Sequence, residues 1–143
     1  MALQYQRGFA RRAVNRFVHV LLRLGLGPRE TYLLTVAGRR SGAPRSTPVT
    51  LVKEGGRRWL VAPYGEVAWV RNLRAAGRAT LSRGGRTEAI AVREVSAEDA
   101  APVLKLYVTR VPITRPYFDV RPESGLAAFR AEAPRHPVFA IVG

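Results

Sequence analysis

The chain changes its hydrophobic period several times along its length. From Tyr5 to Leu24, the apolar residues Phe9, Ala13, Phe17, Val20 and Leu24 recur at steps of three or four, the spacing of one helical face. Arg7, Arg11 and Arg12 fall elsewhere on the wheel, so the segment reads as a basic amphipathic helix, stopped by Gly25-Leu26-Gly27-Pro28. The pattern then shortens. Thr31–Ala37 (TYLLTVA), Ser46–Lys53 (STPVTLVK) and Arg57–Pro63 (RRWLVAP) read as strands, with Glu54-Gly55-Gly56 as the turn between the last two. Pro48 places the second strand at a sheet edge, at a bulge or near its own start.

Helical spacing returns over Val67–Ala76 (VAWVRNLRAA), where Val67, Val70 and Leu73 share a side and Gly77 suits the C-terminal cap. Ala79–Arg83 and Arg86–Val95 form a predicted hairpin around Gly84-Gly85. Ser96-Ala97-Glu98-Asp99 resembles a capping box and opens a helix from Ala97 to about Arg110. Pro112 and Pro116 then break the regularity and present Tyr117 and Phe118. A short helix over Ser124–Ala133 and a strand over Pro137–Val142 complete the pattern. Six strands with interrupting helices predict an α+β, mainly β fold: a small antiparallel barrel with helical cover. The 143 residues fit a single domain, 1–143, with residues 1–28 as the N-terminal helix and its connection.

Charge adds a constraint. The formal net charge is +14, and of 24 basic residues only Lys53 and Lys105 are lysines. Such a field attracts polyanions, anionic lipids or acidic small molecules without choosing among them. The absence of cysteine excludes disulfides, thiolate metal sites and cysteine nucleophiles. His19 and His136 have no ligand-spaced partner, which argues against a zinc site. Neither a membrane-spanning run nor a signal-peptide pattern is present, so a cytoplasmic location is expected. The basic helix could also rest on the inner face of the cell membrane.

The chemistry of the chain is sparse. Nucleophile elbow, zinc-protease, phosphate-loop and dinucleotide motifs are missing, and the ten carboxylates form no convincing acid–base pair. An enzyme built from this sequence would rely on a bound cofactor. Gly38-Arg39-Arg40-Ser41-Gly42-Ala43-Pro44-Arg45 joins two predicted strands and combines forked guanidinium donors, a hydroxyl and backbone N–H groups. It reads either as an anion cradle or as a solvated basic turn. Pro63-Tyr64-Gly65-Glu66 precedes a helix and could turn its backbone N–H groups toward a polar ring. Trp69, Arg71, Asn72 and Arg74 follow on that helix. Trp69 could cover a planar ligand or belong to the core, and Asn72 could be a surface amide. Tyr107, Tyr117 and Phe118 are candidates for a substrate pocket or for simple packing, and His136 for an acid or a structural residue.

Together these residues resemble the deazaflavin (F420)-dependent nitroreductase family, the A-type flavin/deazaflavin oxidoreductases. The matching text is LLTVAGRRSGAPRSTPV from Leu33 to Val49 and WLVAPYGEVAWVRNLRAAGRATL from Trp59 to Leu81. A looser correspondence continues to the C-terminal strand. The resemblance implies a split β-barrel that binds coenzyme F420, with FMN as the alternative cofactor. It places Arg39, Arg40, Ser41, Gly42 and Arg45 on the phosphate and glutamate tail, and Pro63, Tyr64 and Gly65 at the deazaflavin head. Trp69, Arg71 and Asn72 would lie in the helix closing that region, with Lys53 and Arg58 as further candidates. The implied reaction is hydride transfer from F420H2 to a small electron-poor acceptor: a quinone, enone or nitro compound. Tyr117 or Tyr107 would donate a hydrogen bond to charge developing on the acceptor. Glu66-Val67-Ala68-Trp69-Val70 departs from the Pro-x-Trp-Tyr text of the best-known nitroreductases, so nitroimidazole reduction does not carry over. The competing readings are a non-catalytic deazaflavin or flavin carrier and a basic nucleic-acid-binding module. Specific nucleic-acid binding is not expected, and the family pattern allows a monomer or a homodimer.

Overall fold

A computed structural model describes residues 30–143 together with Arg16 and His19. Arg16 and His19 are both helical; the rest of the expected Tyr5–Leu24 helix lies outside the described residues. Strands β1 (Thr31–Ala37), β2 (Pro44–Glu54), β3 (Arg57–Val61), β4 (Arg78–Arg83), β5 (Arg86–Glu94) and β6 (Val138–Ile141) close an antiparallel barrel. Their order around it is β1-β2-β3-β6-β5-β4. Helix α1 (Ala68–Ala76) joins β3 to β4, and α2 (Ala97–Arg110) follows β5. A 3₁₀ segment over Pro112–Tyr117, α3 (Leu126–Glu132) and a 3₁₀ turn over Ala133–Arg135 lead into β6. The expected six strands and covering helices are therefore present. The two-residue hairpins form where glycine pairs predict them: Gly55, Gly56, Gly84 and Gly85 all have positive φ, as turns matched to strand twist require.

Alternation along the strands sorts the apolar residues into two cores. Leu51 pairs with Leu60, and Leu60 with Phe139, all inside the barrel beside Val70 and Leu73 of α1. One step along, Val52, Val61 and Val138 face outward, against Leu104, Tyr107 and Val108 of α2. Leu104 is fully buried, so truncating it to alanine would cost about 2–5 kcal/mol. The α2 helix is capped by Ser96, whose hydroxyl accepts the Asp99 N–H at 3.2 Å.

One seam of the barrel is incomplete. β2 pairs with β1 over Pro44–Thr50 but with β3 only over Leu51–Glu54. Leu51 N–H donates to Glu30 C=O at 2.9 Å, which fixes the ladder's alternation. Odd-numbered β2 residues bond toward β1, while Ser46, Pro48 and Thr50 turn their backbone groups to the open side. Pro48 thus sits where no ladder donor is needed, and its edge reading is the correct one. Across the same non-bonded pairs, Thr31 and Thr50 hydroxyls meet at 2.9 Å and Thr35 and Ser46 at 2.7 Å. The open seam locates the site.

Candidate functional site

A cleft of about 750 Å³ lies where β2 and β3 part. One wall is the free edge of β2, Ser46–Thr50; the facing wall is Val61, Pro63 and Tyr64 at the end of β3. The β1–β2 loop brings Arg39, Arg40, Ser41 and Arg45 to its rim, and α1 contributes Trp69 and Asn72. Tyr107, Val111, Ile113 and Thr114 close the apolar end.

The loop is internally braced. Gly38 N–H donates to Ala43 C=O at 2.8 Å, Gly42 N–H to Gly38 C=O at 2.8 Å, and Ala43 N–H to the Ser41 hydroxyl at 3.2 Å. Gly42 reaches φ 75°, a backbone position that favours glycine. Buried Asn72 ties the loop to α1: its Oδ1 accepts from the Arg39 N–H at 3.1 Å and from Arg39 Nη1 at 2.8 Å. These two donors fix the carboxamide's orientation. Arg74 orients the helix itself, pairing with Glu66 at 2.6 Å and Glu94 at 2.8 Å.

The sequence-predicted residues divide into two groups. Arg39, Arg40, Ser41, Arg45, Pro63, Tyr64, Trp69, Asn72 and Tyr107 line the cleft together. Gly42 and Gly65 shape the adjoining turns without lining it, and Arg71 is exposed on α1 and does not line it. Tyr117 does not line the cleft either; its ring meets Tyr64 edge-on at 4.7 Å. Lys53 pairs with Glu30 at 2.8 Å, and Arg58 forks onto Glu88 at 2.7 and 2.9 Å, so both are engaged elsewhere. Trp69 serves both roles, lining the cleft while its ring packs against Phe139 at 6.3 Å. Thr47, Thr50, Val111, Ile113 and Thr114 had no motif to announce them. Pro48 was the available signal for the first two, since it marked the free edge.

Electrostatics distinguishes the two ends. No acidic residue lines the cleft, and among the described residues no carboxylate pairs with Arg40 or Arg45. The rim therefore holds uncompensated positive charge suited to phosphate or carboxylate oxygens. At the apolar end, burial pushes the Tyr107 phenol well above its usual range, with the Thr114 side chain as its hydrogen-bond partner. That phenol stays protonated at neutral pH. The cleft thus joins a cationic rim to an apolar and aromatic interior.

The sequence model described as F420H(2)-dependent quinone reductase matches residues 8–120. No match was found among curated protein sequences. The solved F420-H2 dependent reductase FDR-A is 27% identical, covering 80% of this chain and 95% of that one, at a TM-score of 0.57. A protein described as a domain-swapped dimer is 23% identical over 94% of this chain and 97% of its own, at 0.58. Atu2129 from Agrobacterium tumefaciens, of unknown function, is 17% identical over 99% of this chain and 57% of its own, at 0.57. The last two likenesses concern the fold alone.

Proposed function

The chain belongs to the F420H2-dependent quinone reductase family, and we propose that its cleft directs hydride transfer from F420H2 to a small, flat, electron-poor acceptor of the quinone type. It is an F420-dependent oxidoreductase. The observation carrying the site reading is a cleft rimmed by three arginines, free of carboxylates and walled on its far side by apolar and aromatic groups.

The bound deazaflavin supplies a hydride and, unlike a flavin, little one-electron chemistry. The residues do the rest. Arg40, Arg45 and the Ser41 hydroxyl would hold the phosphate and carboxylates. Arg39, clamped by Asn72, fixes the loop that carries them. Pro63 and Tyr64, in the turn that Gly65 shapes, would border the ring, and Ser46, Pro48 and Thr50 would offer backbone groups across the cleft. Val111 and Ile113 would present apolar side chains to the acceptor. Tyr107 and Thr114 keep a hydroxyl proton at that end, where negative charge develops on an acceptor oxygen. Orientation is the protein's main contribution. Tyr117 acts through Tyr64 in this reading, by packing rather than as the donor.

The first experiment titrates the protein with F420 and with FMN at two salt concentrations. It then measures oxidation of F420H2 by quinones, enones and nitro compounds. Selective F420 binding that weakens with salt, with turnover fastest on quinones, is the expected result. Folded protein that binds neither cofactor overturns the reading, and binding without turnover on any acceptor turns it into that of a carrier. Peripheral membrane contact through residues 5–24 is a separate addition, tested by co-sedimentation with anionic liposomes; a homodimer is tested by sedimentation velocity.

A further inference from the structure

The Pro63–Gly65 turn has a second layer behind it. Ala62 N–H donates to Pro137 C=O at 2.9 Å, and Ala62 C=O accepts the Gly65 N–H at 3.3 Å, closing the turn. Gly65 has φ 86°, and a Cβ there would meet the Arg135 carbonyl oxygen at 3.4 Å. The turn therefore rests directly on the segment that leads into β6. Within that segment His136 is 4% exposed. Its ring stacks on Phe118, centroids 3.9 Å apart and planes 21° from parallel. Nε2 lies 2.8 Å from Glu132 Oε2, and the backbone of Ala62 and Pro63 approaches the same ring. Nδ1 is buried and makes no hydrogen bond.

An orphaned buried nitrogen is uncommon and calls for a reason. With Nε2–H donating to Glu132, Nδ1 is an acceptor whose backbone neighbours include carbonyls, acceptors as well. One added proton removes the mismatch, because an imidazolium donates at both nitrogens. We propose that His136, anchored by Glu132, is a positioning residue for the cleft floor, setting the Ala62 and Pro63 carbonyls and through them the Gly65 N–H. In the neutral state Ala62 C=O keeps the Gly65 N–H. In the protonated state Nδ1–H becomes a second donor to that carbonyl and weakens its bond to the Gly65 N–H.

The charged groups around the ring bracket the switch. Glu132 of α3 favours the imidazolium. Arg135, paired with Glu132 at 2.5 Å and with Asp119 at 2.7 Å, opposes it, and Asp119 offsets Arg135. Tyr107 of α2, in contact with Phe118, is neutral. Burial outweighs Glu132 and holds His136 below the usual histidine range, so the change falls on the acid side of neutrality.

Its effect on cofactor rests on reading Pro63–Gly65 as the ring-binding turn, and the test separates the two. Amide and imidazole NMR on the cofactor-free protein, from about pH 8 to about pH 5, is expected to show the His136 ring and the Gly65 amide shifting with one midpoint. F420 affinity over the same range is expected to tighten at least ~3-fold toward acid relative to His136→Phe. That variant keeps the ring stack, removes both nitrogens and cancels any titration of the ligand itself. A Gly65 amide that does not follow His136 overturns the proposal. A Gly65 amide that follows, with affinity flat, upholds the positioning role and removes the cofactor from that turn. If His136→Phe does not fold, His136→Gln supplies the reference, and the native-protein NMR still decides.

Discussion

Arginine has two fates in this molecule. At the cleft rim, Arg40 and Arg45 have no carboxylate partner among the described residues, and Arg39 turns its guanidinium to the Asn72 carboxamide. Elsewhere several of the same side chains are engaged with acid. Arg58 forks onto Glu88, Arg74 bridges Glu66 and Glu94, Arg110 pairs with Glu54, and Arg135 holds both Asp119 and Glu132. With 24 basic residues against 10 acidic ones, some arginines must go unpaired. Where the acids are withheld carries more information than the total. A net charge describes a field; a carboxylate-free rim beside an aromatic cleft describes a ligand.

The most direct way to break this contrast is to remove the bare charges. Arg40→Ala with Arg45→Ala is expected to weaken F420 binding by about 100-fold, near what two charge-assisted contacts contribute. The thermal midpoint should hardly change, since both residues are exposed. Titrations at two salt concentrations should also show a shallower salt dependence. Unchanged affinity in the folded double variant would move the anion site to another face. Asn72→Ala comes next. It strips two hydrogen bonds from a buried acceptor and leaves the loop unclamped. Affinity should fall about 10-fold, and urea denaturation should show a stability loss of about 1–2 kcal/mol. Loss of affinity without loss of stability would mean that Asn72 touches the ligand and does not clamp the loop.

The same contrast explains what could be read from sequence. The strands and hairpins were legible because alternation and glycine pairs are local signals: β1 runs over Thr31–Ala37 as expected, and the Gly84-Gly85 turn forms. β2 starts earlier, at Pro44 instead of Ser46, because pairing with Ala37 extends it. The helix expected over Ser124–Ala133 narrows to Leu126–Glu132, followed by a 3₁₀ turn through Pro134. In the site, residues adjacent in one loop were found as a group. Partnerships between distant segments were not. Asn72 accepts from Arg39 across 33 positions, and His136 reaches the Ala62 turn only because β6 pairs with β3. Arg58 and Glu88 sit on strands that are not neighbours in the barrel. Arg71 and Tyr117 were assigned from their place in a motif; neither lines the cleft, and Tyr117 meets it through the Tyr64 ring.

A smaller effect separates the buried histidine from the surface ion pairs. His136 is held below the ordinary histidine range in the folded chain, with burial the leading cause. The unfolded chain, with a histidine near 6.5, then binds more protons between the two values, so stability rises with pH through that window. Acidification below about 6.5 costs stability until the folded value is passed. Glu88 acts in the same direction at lower pH: its hydrogen bonds to Arg58 hold its carboxyl below the usual carboxylate range. That stability is present above the unfolded carboxylate value and is lost as pH falls through the folded one. Urea titrations across pH should therefore show two separate slopes, and His136→Phe should flatten only the upper one. An unchanged upper slope would mean that His136 does not titrate differently in the folded state.

The smallest expected effect gives the sharpest control. Arg58→Ala removes one positive charge, as Arg45→Ala does, but takes it from a pair whose side chains are 28% and 51% exposed. Such pairs contribute about 0–1 kcal/mol, so the thermal midpoint should shift little. F420 affinity should stay within about twofold, because Arg58 faces Glu88 and not the cleft. If the variant nonetheless binds F420 as weakly as Arg45→Ala, affinity follows the summed field of the barrel and the rim arginines have no privileged contact. If the two variants separate, equal changes in formal charge have unequal consequences, and the difference between them measures the site itself.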